Sequence, residues 1–293
     1  MDRITKLLIF ALATLQLTGC VKDDLYNTPH PATGAVRIHT DWSGASSDAV
    51  LPQSYILRIG TQEQTVVGTD NAFNALFEPG SHDMLVCHQA DGITIDRHTA
   101  TVNTLTDGTL EPLPGYLFSA VKELAIVQDD TLRVTVKMEQ RIRKLTLVLT
   151  LKPGDEERIG STAATLTGIA SAIDLRDGTI TSTAGKTVIP AFSAATNGQS
   201  IHSAGDPVLV ATLRLPGVMP GERQILTLSV TLTDGYVHAF TTDLSAMLKD
   251  FGTGADMEPL LLDATLELPT AGDFDGGTIS GWEQRDDLII DAH

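Results

Sequence analysis

Ser119 and Lys122, with two residues between them, have the types and spacing from which penicillin-recognising enzymes build an acyl acceptor. On a helix the lysine would lie beside the serine hydroxyl and draw off its proton. The surrounding residues, Tyr116 to Val127, read instead as a strand, where positions three apart point to opposite faces. No Gly-x-Ser-x-Gly elbow or phosphate-binding glycine loop accompanies the pair. Among the histidines, His39, His82, His88, His98, His202 and His238 include no His-x-x-x-His pair of the zinc-hydrolase kind. His82 and His88 share a face of extended chain but stand about 20 Å apart. Asp273-Phe274-Asp275-Gly276 opens like a calcium loop, yet the later ligands and the closing glutamate are missing, so it reads as a surface turn. No catalytic, cofactor-binding or metal-ligating set emerges, and a hydrolase is the least favoured class.

Cys20 is the residue placed for chemistry. Arg3 and Lys6 open the chain, an apolar run from Leu7 to Leu15 follows, and Leu17-Thr18-Gly19 precedes the thiol. This is the order of a secretory signal. The apolar run falls short of the roughly 20 residues that span a bilayer as a helix. A cysteine behind two small residues resembles the bacterial lipobox, in which the thiol accepts a diacylglycerol before the peptide is cut on its amino side. Each buried methylene contributes about 0.8 kcal/mol, so two or more acyl chains hold a protein on its membrane. Residues 1–19 are expected to be removed and residues 20–34 to form a lipidated, flexible tether.

Removing residues 1–19 takes away Asp2, Arg3 and Lys6, leaving 18 basic and 36 acidic residues and a net charge of −18. Nucleic acid is a poor partner for such a surface, because phosphate binding relies on Lys and Arg. The chain has two cysteines. With Cys20 acylated, Cys87 has no partner for a disulfide or a thiolate zinc site, and the hydrophobic core must supply the stability.

The elements that would position any site are strands. From Ala35, apolar Val36 and Ile38 alternate with Arg37, His39 and Asp41 up to Trp42. Strand patterns recur at Tyr55–Ile59, Met84–His88, Ile93–Val102, Tyr116–Val127, Leu132–Met138, Leu145–Leu151, Thr165–Leu175, Val208–Leu215, Ile225–Leu232, Val237–Thr241 and Leu260–Leu268. Asp91-Gly92, Asp107-Gly108, Asp177-Gly178 and Asp234-Gly235 separate them with hairpin chemistry. One helix is expected, over Leu244–Phe251, ended by Gly252. Many strands and frequent turns imply an all-β chain of two tandem Greek-key sandwiches. The basic step after Met138 puts the boundary near Gln140, giving units 35–140 and 141–293.

Five stretches stand out in order: Cys20 with Asp23-Asp24-Leu25, the strand Ala35 to Trp42, Leu76-Phe77-Glu78-Pro79-Gly80, Leu113 to Ser119, and Arg141 to Leu151. Together they resemble the fimbrillin-associated anchor family of Bacteroidales lipoproteins. The resemblance implies two transthyretin-like sandwiches and a part in a pilus assembled by strand donation, with fimbrial subunits as partners. Lys22-Asp23-Asp24 resembles the acidic address that Bacteroidetes lipoproteins carry for display on the outer surface of the outer membrane. Polymerising fimbrillins are cut after an arginine in the loop following the first strand. Here Asp41 to Leu57 contains no Arg or Lys, so an uncut anchor or accessory subunit that supports cell adhesion is expected. The alternative is a glycan-binding lipoprotein of a polysaccharide-uptake system. Sugar sites need aromatic platforms, for which Trp42, Trp282 and four tyrosines are the candidates.

Overall fold

The computed structural model describes residues 30–199, 206–252, 256–269, 277–285 and 289–291. In the first half the strands are β1 (Ala35–Asp41), β2 (Ser54–Ile59), β3 (Gln62–Val67), β4 (Asp70–Ala72), β5 (Gly80–Cys87), β6 (Ile93–Asp96), β7 (Thr99–Val102), β8 (Phe118–Ile126), β9 (Thr131–Lys137) and β10 (Glu139–Gln140). A three-stranded sheet, β4-β1-β9, packs on a five-stranded one, β10-β8-β5-β2-β3. Alternation sets the facing: Val36, Ile38 and Thr40 turn inward from β1, and Tyr55, Leu57 and Ile59 from β2. Trp42 closes one end of this core, edge-on to Tyr55 at 5.6 Å and to Phe118 at 5.4 Å.

In the second half the elements are β11 (Arg143–Thr150), β12 (Ile159–Ile169), β13 (Ala172–Asp174), β14 (Lys186–Val188), β15 (Ser193–Gln199), β16 (Pro207–Leu215), β17 (Ile225–Leu232), β18 (Val237–Asp243), the single helical turn α1 (Ser245–Leu248), β19 (Leu260–Glu267), β20 (Thr278–Arg285) and β21 (Ile289–Asp291). A six-stranded sheet, β20-β19-β11-β16-β15-β21, packs on a four-stranded one, β14-β12-β17-β18. Each half uses its first strand alike. β1 lies between antiparallel β4 and parallel β9, and β11 between antiparallel β16 and parallel β19. A first strand held on both sides by strands that arrive later is the long-range order of Greek-key sandwiches. The chain is all-β, as its turn spacing and alternation predict.

The two cores are not divided cleanly in sequence. Leu85, Cys87, Ile93, Ala100, Val102, Leu110 and Leu117 belong to the same apolar cluster as Leu147, Leu166 and Leu228. The hairpin β6–β7 extends to β13 through Ala100↔Ile173, so the 88–117 excursion of the first half lies on the second.

Three local expectations change. Ile93–Val102 is a hairpin, not one strand. Its turn carries no Gly, and Arg97 takes the left-handed conformation at φ 55°. Thr165–Leu175 divides into β12 and β13. The helix shrinks to one turn because Ser245 donates its N–H to Asp243 Oδ1 at 2.9 Å at the start, while Gly252, at φ 80°, reverses the chain. A Cβ on Gly252 would lie 2.4 Å from the Pro216 carbonyl, so only glycine fits there.

Candidate functional site

Cys20, Lys22, Asp23 and Asp24 lie outside the described residues, as does the turn Asp273 to Gly276. The described chain enters the first sandwich at Gly34, whose N–H donates to Phe77 O at 2.8 Å. A Cβ there would stand 2.3 Å from Val127 O. From this end β1 runs through seven register pairs with β9, from Ala35↔Thr131 to Asp41↔Lys137. Its far end meets the connection between the halves, where the Met138 N–H donates to Asp41 O at 2.8 Å.

The connection from β1 to β2, which carries no Lys or Arg, is fastened at three consecutive residues. Ser46 donates its N–H to Gln140 Oε1 at 2.9 Å, and Gln140 passes its amide N–H to Ile142 O at 2.8 Å. Ser47 reaches the second half: its N–H lies 3.1 Å from both Glu258 oxygens and its hydroxyl donates to Glu258 Oε2 at 2.6 Å. Asp48 accepts from Ser46 Oγ at 2.8 Å and from the Tyr116 hydroxyl, and pairs with Lys144 Nζ at 3.0 Å. Burial pushes the Asp48 carboxyl up, but its bonds to Tyr116, Ser46 and Lys144 outweigh that and hold it below its ordinary range. The Tyr116 phenol is pushed up by burial and by the Asp48 carboxylate. Arg214 sits 5.2 Å over the Tyr116 ring, and Arg143 supports Glu258 through its backbone carbonyl at 2.7 Å.

The other element of interest is the sheet edge formed by β20, paired antiparallel with β19 from Leu261↔Arg285 to Glu267↔Thr278. Most of its side chains face solvent. Ile279 and Trp282 pack against the core, and Trp282 Nε1 donates to Thr242 Oγ1 at 3.1 Å. Arg285 Nε lies 3.0 Å from Oδ2 of Asp263, which is 2% exposed. Their geometry is that of an ion pair, not of an aligned hydrogen bond.

The residues first considered for chemistry have structural roles. Ser119 is fully buried, accepts from Arg141 Nε at 2.8 Å and donates to Leu175 O at 2.7 Å, while Lys122 faces solvent on the same strand. His82 bonds Glu78 O at 2.8 Å. His88 is buried beside Phe118, ring centroids 6.0 Å apart, and burial lowers its pKa. Among the described residues no group of three His, Cys, Asp or Glu side chains could hold a metal. No helix among them is long and apolar enough to cross a membrane. Trp42 and Trp282 both pack against apolar cores. The clamp of Ser46, Ser47, Asp48, Tyr116, Gln140, Lys144 and Glu258 had no signal in the chain beyond the missing basic residues, because its members are gathered from four separate stretches.

The fold and these contacts define a class: a two-core, all-β protein whose polar networks fasten loops and whose exposed features are sheet edges. The chain belongs to the family of fimbrillin-A associated anchor proteins Mfa1 and Mfa2, whose model matches residues 60–285. It is similar in fold to the fimbrial anchor protein Mfa2 from Porphyromonas gingivalis, at 9% identity and TM-score 0.55, covering 88% of this chain and 99% of that one. It is likewise similar to a candidate adhesin from Bacteroides ovatus, at 12% identity and TM-score 0.57, covering 92% and 96%. A candidate polysaccharide-binding protein from Bacteroides thetaiotaomicron also shares the fold, at 8% identity and TM-score 0.53, covering 86% and 98%. No curated protein matches the chain.

Proposed function

We propose that this chain is a lipid-anchored, non-enzymatic protein of the outer surface that serves as anchor or accessory subunit of a fimbria and supports cell adhesion. Acylation at Cys20, with Lys22-Asp23-Asp24 as the address, ties one end to the outer membrane. The folded units, 35–140 and 141–293, follow the tether. Pairing with fimbrial subunits is through strands: backbone hydrogen bonds supply affinity, and alternate side chains fill apolar pockets.

The observation that carries this reading is the state of the first strand. β1 is central in its sheet, and the loop behind it, free of Lys and Arg, is bonded to the junction at Gln140 and to the second half at Glu258. A subunit that must lose its first strand to open a groove needs the opposite, an exposed basic cleavage site on a loose loop. The chain therefore keeps β1 and offers its partners a different edge, of which β20 is the candidate. The packing of Trp42 and Trp282 against the cores weighs against the glycan-binding alternative.

The test is to purify fimbriae from cells carrying a tagged form of the protein. Co-purification of a chain whose mature amino terminus precedes Ala35 is expected. A fimbria-associated chain beginning after Asp41, or a protein that never accompanies fimbriae, would refute the reading.

A further inference from the structure

The outer face of the β4-β1-β9 sheet has a charge arrangement at odds with the rest of the molecule. Arg37 of β1 and Arg133 of β9 are direct partners in the parallel register, and both side chains are exposed. Like charges side by side on neighbouring strands destabilise a sheet. Among the described residues neither arginine has an ion-pair or side-chain hydrogen-bond partner. The carboxylates on this face are committed elsewhere: Asp70 to His39 Nδ1 at 3.0 Å and Thr69 Oγ1 at 3.2 Å, Asp41 to the Ser43 N–H at 2.9 Å. Lys137, opposite Asp41, adds a third cation. In a chain of net charge −17, two adjacent guanidiniums form a local positive site, on which Asp70 acts through space at Arg37 without pairing to it. They line one shallow cavity of about 310 Å³ together with His39, Asp70 and Thr135.

We propose that this face binds a tetrahedral oxyanion, a phosphate or sulfate monoester, between Arg37 and Arg133, with the Thr135 hydroxyl as a further donor. Guanidinium forks match oxyanions bidentately. A carboxylate has two oxygens and is satisfied by one fork, whereas a phosphate or sulfate presents three to the pair. The cavity is lined by no Phe, Tyr or Trp on which a neutral sugar would stack. A membrane headgroup and a soluble monoester share this chemistry. The inference does not depend on fimbrial assembly.

The test uses the protein with Cys20→Ala, so that no acyl chain contributes. Inorganic phosphate or sulfate is expected to raise the thermal midpoint above that in chloride of equal ionic strength. Arg37→Gln and Arg133→Gln should each weaken the anion about tenfold or more. Without oxyanion, both exposed substitutions should leave the midpoint unchanged or higher, since they relieve the repulsion. Arginine-dependent sedimentation with phosphatidylcholine vesicles containing phosphatidic acid assigns the source to headgroups. An arginine-dependent response to phosphate without vesicle binding assigns it to a soluble monoester. The proposal falls if both variants respond as the parent does, or if phosphate, sulfate and chloride act alike and no vesicles are bound.

Discussion

The Tyr116 hydroxyl donates its hydrogen bond to the Asp48 carboxylate across 68 residues of chain, and Lys144 closes on the same oxygen at 3.0 Å. One carboxylate thus ties the loop after the first strand to the segment entering β8 and to the first strand of the second half.

Asp48→Ala should leave Ser46, Tyr116 and Lys144 without their shared acceptor and cost about 1–3 kcal/mol, measured by chemical denaturation. Its kinetic signature is sharper. With an arginine introduced at the exposed Val50, an arginine-directed protease should cut slowly while Asp48 is present and rapidly once it is replaced. Equal rates would show that the bonds do not restrain the loop. Because the Asp48 pKa is lowered on folding, its contribution is full above the ordinary carboxyl value and disappears as pH falls through the folded one.

His88 titrates with the same sign but from a higher ordinary pKa. Burial lowers its folded pKa below the ordinary 6.5, so the unfolded chain binds the extra proton first. Stability should decline as pH falls below about 6.5, down to the folded value. Thermal midpoints across pH 7 to 5 should flatten in His88→Leu relative to the parent, and identical slopes would contradict this role.

Cys87 is buried, and burial pushes its thiol up to about 11. As the thiolate is the reactive form, a thiol-directed reagent at neutral pH should modify it only as fast as the protein unfolds. Modification within the mixing time would place the residue at the surface.

Arg285→Ala should take the cation from the buried Asp263 carboxylate, which Thr150 Oγ1 also approaches at 3.4 Å. Removing one member of a buried ion pair costs about 3–5 kcal/mol. The loss should concentrate at the edge: amides of residues 278–285 should exchange faster, while those of β11 stay protected until global unfolding. Loss of protection in β11 to the same degree would mean that β20 does not open separately.

Much of the architecture was legible because alternation is a local property. β1, β2, β9, β16, β17 and β19 fall where apolar residues recur at period two between turn residues. Strands with weaker alternation were missed: β3 is Gln62-Glu63-Gln64-Thr65-Val66-Val67, and β20 has a mostly exposed pattern. Both are edge strands, ordered chiefly by backbone pairing to a neighbour, so their own side chains carry little of the signal. The β6–β7 turn was missed because Arg97, not glycine, takes the left-handed conformation there.

By itself the sequence determined the all-β class, the expectation of an acylated Cys20 and the absence of a basic cleavage site behind the first strand, since each is written in contiguous residue types. It also carried, through spread motifs, the resemblance to the anchor family. Only the tertiary structure decided that β1 is enclosed on both sides, that Asp48 meets Tyr116 and Lys144, and that Arg37 stands beside Arg133. Those contacts join segments tens of residues apart. Parallel pairing and Greek-key crossings bring them together through the burial of both cores, and no local pattern encodes which distant strand will arrive.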